Sequence, residues 1–196
     1  VTLAFPLSLG SWLVPRLITD FRREHPRVKF VLLRTAVGES GRVSQHLATR
    51  SADVELTTHR VHGPDVEWRR VLVEPLVLAV GLAHPLASRD EVSLSEVASE
   101  PFIMRRAPSG MRGQTLDLCH AAGFEPEVEL EADDLLTVRG LVAAGLGVAV
   151  VPAMGLPAPT TFARSRLLPI VDAGAHREVG VAWVRGRPLL PSGEAF

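Results

Sequence analysis

The chain has 196 residues, 46% of them hydrophobic, and a formal net charge of −1. That length and apolar content allow one domain or two small lobes with an ample core, and the balanced charge excludes a global basic field for nucleic acid. The single cysteine, Cys119, excludes an intramolecular disulfide and fits a reducing cytoplasm.

No run reaches membrane-spanning length. The opening "VTLAFPLSLGSWLVP" lacks the basic region and small-residue cleavage site of a secretory signal. It reads instead as a strand, "VTLAF", and a loop, "SLGS", in which Ser8 or Ser11 is placed to cap the next helix. A chain that begins on a strand reads as a piece of something longer. Leu13, Val14, Leu17, Ile18 and Phe21 line one helical face, and "REHPRV" ends that helix with basic residues and a proline. "KFVLLR" is a strand, Val43 and Leu47 mark a weaker helix, and "ADVELTT" is a third strand. In the apolar stretch "VLVEPLVLAVG", Pro75 argues against a simple central strand. "AHPLASRDEVSLSEVASEPFIMR" reads as turn, short helix and strand, with Ser93 and Glu96 at capping-box spacing. "APSGMRG" is a loop, "QTLDLCHAAG" a helix closed by Gly123, and "EVELEA" a strand.

The next helix starts after Asp133 or Asp134 and carries Leu135, Val138, Leu141 and Val142 at helical spacing. It runs into "LVAAGLGVAVVP". A phosphate-cradling loop needs strand, glycines, then helix; here the order is helix, glycines, strand. Gly145 therefore closes the helix in a left-handed conformation, and Gly147 lets the following strand pack close to it. "LLPIV" and "EVGVAWV" are the last strands. The alternation predicts an α/β fold with a mostly parallel sheet. Ligands in such folds sit at the carboxyl ends of strands, which singles out the loops "FPLSLGS", "RTAVGES" and "MRRAPSGMRG".

The chemistry-bearing residues are few. Arg105, Arg106 and Arg112 bracket "APSG", and Ser109, Gly110 and Gly113 offer backbone N–H groups ahead of a helix. Guanidinium forks and helix-terminal amides suit a carboxylate or another oxyanion; solvated surface arginines are the alternative. His59 and His62 have no third ligand in view, so no metal site is expected. No nucleophile elbow is present, Cys119 lies in a helical apolar pattern, and Asp133 and Asp134 diverge on a helix. No catalytic residue and no cofactor is therefore expected, and the chain reads as a non-enzyme. Glu55 places a charge in a strand that should be covered on both faces. Either it faces a ligand or an arginine, or the strand end is exposed.

The ordered set "LVPRLITDFRREHPRV", "ADVEL", "EPLVLAVGLAHPLA", "LSEVASEPFIM", "LCHAAGFEPEVELE" and "LVAAGLGVAVVP" resembles the effector-binding domain of LysR-type transcriptional regulators over almost the entire chain. The resemblance implies a type II periplasmic-binding-protein fold: two Rossmann-like subdomains, residues 1–77 with 181–196 and residues 78–180, joined by two crossover strands near Pro75–Val80 and Val179–Val184. It implies a small-molecule effector, expected to be a carboxylate, in the cleft between the lobes. Carried over residue by residue, the contacts are Ser8, Ser40, Arg105, Met111, Arg112 and Leu135, with the amides near Gly110. It further implies a cytoplasmic homodimer or homotetramer that pairs helix Leu13–Arg23 of one copy with Thr115–Ala122 of another. DNA is read only through an N-terminal winged helix-turn-helix absent from this chain. Gly110 stands near the position of the reactive cysteine in peroxide-sensing members, which argues against a thiol sensor. The alternatives are a periplasmic-type solute-binding protein and an enzyme on the same fold.

Overall fold

The computed structural model describes residues 1–35, 43–63, 65–154 and 164–186. Its elements are β1 Thr2–Phe5, α1 Leu7–Gly10, α2 Leu13–Glu24, β2 Val31–Arg34, α3 Gln45–Ala48, β3 Val54–Thr57, β4 Val66–Gly81, β5 Phe102–Arg105, α4 Gly110–Ala121, β6 Val128–Ala132, α5 Leu135–Ala143, β7 Ala149–Pro152, β8 Ser165–Pro169 and β9 His176–Val184, with 3-10 turns at Pro85–Ser88 and Leu94–Val97. They form two compact units, one within Val1–Val73 and Glu178–Phe196 and one within Glu74–Arg177. The chain passes between them inside β4, after Val73, and inside β9, after Arg177.

In the first unit, β1 pairs in parallel with β2 and with β3, and β3 pairs antiparallel with β9, Glu55 opposite Ala182. The stripe read from α2 does what its spacing implies. Leu13 and Val14 are buried with Leu3, Leu9, Val54, Leu56 and Val179, while Leu17 and Ile18 pack at the margin. The expected caps do not form. "LSLG", read as loop, is the short helix α1, because Leu9 is drawn completely into the core. Ser11 ends α1, and Trp12 precedes α2 while its indole Nε1 donates to the Ser8 carbonyl at 3.0 Å. Farther along, the Trp68 indole lies over Gly180 so closely that a Cβ there would stand 2.3 Å from the ring. The same indole N–H donates to Thr57 Oγ1 at 2.9 Å.

In the second unit, β4 pairs antiparallel with β7 and with β8. Pro75 does not interrupt it. Its carbonyl accepts from Ala153 N at 2.9 Å, and the β8 ladder starts only at Val77, so the missing N–H falls where neither ladder asks for it. From Leu76 to Val80 the strand is buried on both faces. Leu76, Leu78 and Val80 enter a core shared with Met111, Leu118 and Cys119 of α4, whereas Val77 and Ala79 enter one shared with Val138 and Val142 of α5. A strand covered on both sides needs apolar residues at every position. Pairing is more mixed than the sequence implied, since the two strands that pass between units run antiparallel to their partners.

The parallel pair β5–β6 carries the site. Met104 lies opposite Glu131 and Arg105 opposite Ala132, after a register shift at Phe102/Ile103. β5 leads into α4 and β6 into α5. Both helices end on glycines with positive φ, Gly123 at 90° and Gly145 at 78°. At the second, Gly145 N bonds Val142 O and Leu146 N bonds Leu141 O, the paired closure that a left-handed residue permits. Gly147 serves a different approach from the one expected: a Cβ there would meet the Pro101 carbonyl at 2.4 Å, so it admits the entrance of β5 rather than the preceding helix. Glu96 Oε1 accepts from Ser93 N at 3.0 Å, as the capping-box spacing predicted.

Candidate functional site

Two helices start side by side at the carboxyl ends of β5 and β6, and their N-termini are treated differently. At α5, Asp134 is the cap. Its Oδ1 accepts from Thr137 N at 2.8 Å and its Oδ2 from Thr137 Oγ1 at 2.7 Å. The Thr137 backbone bond, above all, holds the carboxyl below its usual range. At α4 the Ser109 side chain forms no cap. The helix starts at Gly110, earlier than the sequence suggested, and its first intrahelical bond runs from Gly113 N to Ser109 O at 3.1 Å. Gly110, Met111 and Arg112 thus occupy the first turn, where backbone N–H groups have no helical acceptor. Met111 turns its side chain into the core, so any contact it offers a ligand is through its backbone. Leu135, at the start of α5, packs against both cores of this unit.

The three arginines separate cleanly. Arg106 Nε donates to Asp133 Oδ1 at 2.8 Å, in a pair with 64% and 72% side-chain exposure. Arg112 Nη1 donates to Glu131 Oε1, in a more sheltered pair with 22% and 42% exposure, and to the Arg105 carbonyl at 3.3 Å. Arg105 differs: its Nε is buried with no hydrogen-bond partner among the described residues. Burial lowers its guanidinium pKa, while the nearby charges of Asp134 and Asp133 push it back up. A half-buried cation with an unused donor beside an uncapped helix start is an arrangement suited to an anion.

Of the residues named from sequence, Arg105, Gly110, Met111, Arg112 and Leu135 belong to this unit and to these two helix entrances. Ser8 lies in α1 of the first unit. Ser40 lies outside the described residues. Glu55 does not mark an exposed strand end. It is 5% exposed, and its Oε2 accepts from Ser44 N at 3.0 Å and Ser44 Oγ at 2.9 Å, tying β3 to the start of α3. Burial raises its pKa, against the lowering by the two Ser44 bonds and His46. Cys119 is fully buried, and burial first, then Glu125 and Asp172, push its thiol up to about 12. Such a thiol carries almost no thiolate at neutral pH. No grouping of His, Cys, Asp or Glu suited to a metal occurs among the described residues.

Sequence reasoning missed Glu131, and it missed Glu74. Glu131 is a strand carboxylate whose meeting with Arg112 depends on the register shift in β5. Glu74 stands beside Pro75 in an apolar run and is completely buried. Its Oε2 accepts from Arg177 Nε at 2.7 Å and its Oε1 from Met154 N at 3.0 Å. Arg139 of α5 lies close enough to feel both charges, and donates to Pro152 O at 2.9 Å.

The family model for the LysR substrate binding domain matches residues 1–196. The chain belongs to that family. It is 32% identical over 202 residues to the transcriptional dual regulator GltC of Bacillus subtilis (strain 168), covering 100% of this chain and 64% of GltC. The curated relatives matched over the whole chain are longer, and the chain spans 64–65% of the first two. Among solved structures, the effector-binding domain of QuiR in complex with shikimate superposes with a TM-score of 0.85 at 22% identity, covering 100% of this chain and 91% of that one. The regulatory domain of CcmR from Synechocystis PCC6803 in complex with 2-PG gives a TM-score of 0.85 at 22% identity, with 100% and 92% covered. These likenesses establish the type II periplasmic-binding-protein-like fold of this LysR domain. No helix among its described residues is long and apolar enough to cross a membrane.

Proposed function

We propose that this LysR domain is the effector sensor of a bacterial transcriptional regulator, that it binds a small organic anion, and that Arg105 is the cation that holds it. The observation that carries this reading is the buried, unused Nε of Arg105 beside the uncapped start of α4. Arg112, the other candidate from sequence, is engaged by Glu131 and is the weaker choice. The amides of Gly110, Met111 and Arg112 supply further donors, and Leu135 supplies apolar contact. Ser8 and Ser40 belong to the reading through the family resemblance. Shikimate, the ligand of QuiR, is a carboxylate, which supports an anion.

In this reading the domain does no chemistry on its ligand. The full-length regulator is cytoplasmic, self-associates as a dimer or tetramer, and reads DNA through a part outside this chain. Ligand binding shifts the population of domain conformations, and that shift is what the regulator transmits. Calorimetry with carboxylates and their neutral isosteres tests the site. A charge-assisted hydrogen bond is worth roughly 1.5–3 kcal/mol, so Arg105→Gln weakens carboxylate binding about ten- to a hundredfold, while Arg106→Ala leaves it within about twofold. Preference for neutral isosteres, or unchanged binding by Arg105→Gln, refutes the placement.

A further inference from the structure

We infer that this site is built for a single negative charge, a monoanion, and that Glu131 and Asp133 set the limit by occupying Arg112 and Arg106. The inference rests on the anion-site reading above and narrows it. Three guanidiniums and three carboxylates share the ends of β5 and β6. Two of the cations are already seated on carboxylates, Arg106 on Asp133 and Arg112 on Glu131. The third carboxylate, Asp134, accepts from Thr137 at both oxygens, and Arg105 donates no hydrogen bond to it. One donor group therefore remains for a ligand, and it is planar and forked, a match for one carboxylate.

A second negative group on the ligand would meet no further unpaired cation among the described residues at these strand ends. It would meet Glu131, Asp133 and Asp134 across a partly shielded site, where like charges repel more strongly than in water. Asp134 stays ionised under ordinary conditions, because the Thr137 backbone bond lowers its pKa. The two ion pairs differ in shelter. Arg112–Glu131 is the less exposed, so releasing Arg112 should change ligand selection more than releasing Arg106.

The test titrates the whole chain with formate, acetate and benzoate, each against its dicarboxylate counterpart oxalate, malonate or isophthalate, at constant ionic strength. Binding is followed through the Arg105 Nε–Hε resonance, assigned with Arg105→Gln. In wild type the monocarboxylates move that resonance saturably and the dicarboxylates bind at least about fivefold more weakly. In Glu131→Gln the dicarboxylates gain about fivefold while the monocarboxylates change by less than about twofold, and Asp133→Asn gives a smaller gain in the same direction. Both changed residues are substantially exposed, and thermal melts confirm that the variants fold. Dicarboxylates that bind as tightly as monocarboxylates, with Arg105 still responding, overturn the one-charge limit and leave the anion site standing. Unchanged selectivity in Glu131→Gln overturns the role given to that residue. No response of Arg105 to any of the six anions overturns the anion site itself, and this inference with it.

Discussion

Replacing Glu74 by Gln removes one charge from a fully enclosed polar cluster while keeping its shape. The carboxylate is 0% exposed and Arg177 is 3% exposed, so water cannot stand in for either partner. The amide oxygen can still accept from Met154 N, now at 3.0 Å, but its NH2 then faces the Arg177 donor that Oε2 accepts from at 2.7 Å, so the charge and the Arg177 hydrogen bonds are lost together. What remains is a buried guanidinium that has lost the charge of Glu74, beside Arg139, whose pKa burial lowers first and the positive charge of Arg177 lowers further once Glu74 no longer opposes it. Breaking one side of a buried pair costs about 3–5 kcal/mol. Against a total stability on the order of 5–15 kcal/mol, that is a large share. For a chain of this size it lowers Tm by roughly 6–20 °C. Urea unfolding followed by far-UV circular dichroism, beside thermal melts, reads both quantities. The double variant Glu74→Leu, Arg177→Leu removes the charges together and should be less destabilised than Glu74→Gln alone, because paired removal strands no charge. A single variant within about 1 kcal/mol of wild type, or a double variant worse than the single, refutes the reasoning.

Two further outcomes follow from the first unit. Glu55 has a folded pKa raised above its ordinary 4.5. The fold therefore favours its protonated form, so its contribution to stability is greatest below the unfolded value and declines as pH rises from about 4.5 through the folded value. The stability of wild type relative to Glu55→Gln should fall across that window and level off above it; a difference independent of pH between about pH 4 and 7, or one that grows with pH, contradicts the burial argument. Gly180→Ala drives a methyl to 2.3 Å from the Trp68 ring and should cost about 1–3 kcal/mol by overpacking. Trp68→Leu in the same chain should recover part of that loss, and strictly additive costs in a double-mutant cycle would show that the ring is not what Gly180 accommodates.

Local patterns were the legible part of this sequence. The stripe of α2, the Asp134 cap and the glycine closures at Gly123 and Gly145 each depend on residues within a few positions of one another. What escaped depends on distant chain. α1 forms because the core takes Leu9, not because "LSLG" is a strong helix former. Pro75 passed as a breaker because the ladder positions that excuse it lie near Ala153 and Val77. At the site, arginines beside a helix entrance were visible, yet which of them is spoken for was not. That turns on Glu131 reaching Arg112 across the β5–β6 register. Arg106, grouped with Arg105 in the sequence, is instead paired with Asp133 at the exposed surface.

The path of the chain through its two units has a consequence for the order in which they can be completed. The unit within Glu74–Arg177 is one uninterrupted stretch, and all the partners of its cores are translated before β9 ends. The other unit is split. Its β3 waits for Gly180, Val181 and Ala182 to complete the pairing at Thr57, Leu56 and Glu55, and its core waits for Val179. On a ribosome the later unit can therefore settle first, while the earlier one holds β1, β2 and β3 with one edge unmatched until the last strand emerges. Closing that edge spans more than a hundred residues of chain, the kind of distant pairing that slows folding and leaves strand edges open to wrong partners. A stop codon placed just after Arg177, which keeps the partner of Glu74, should then yield a chain whose second unit resists protease while its first is cut.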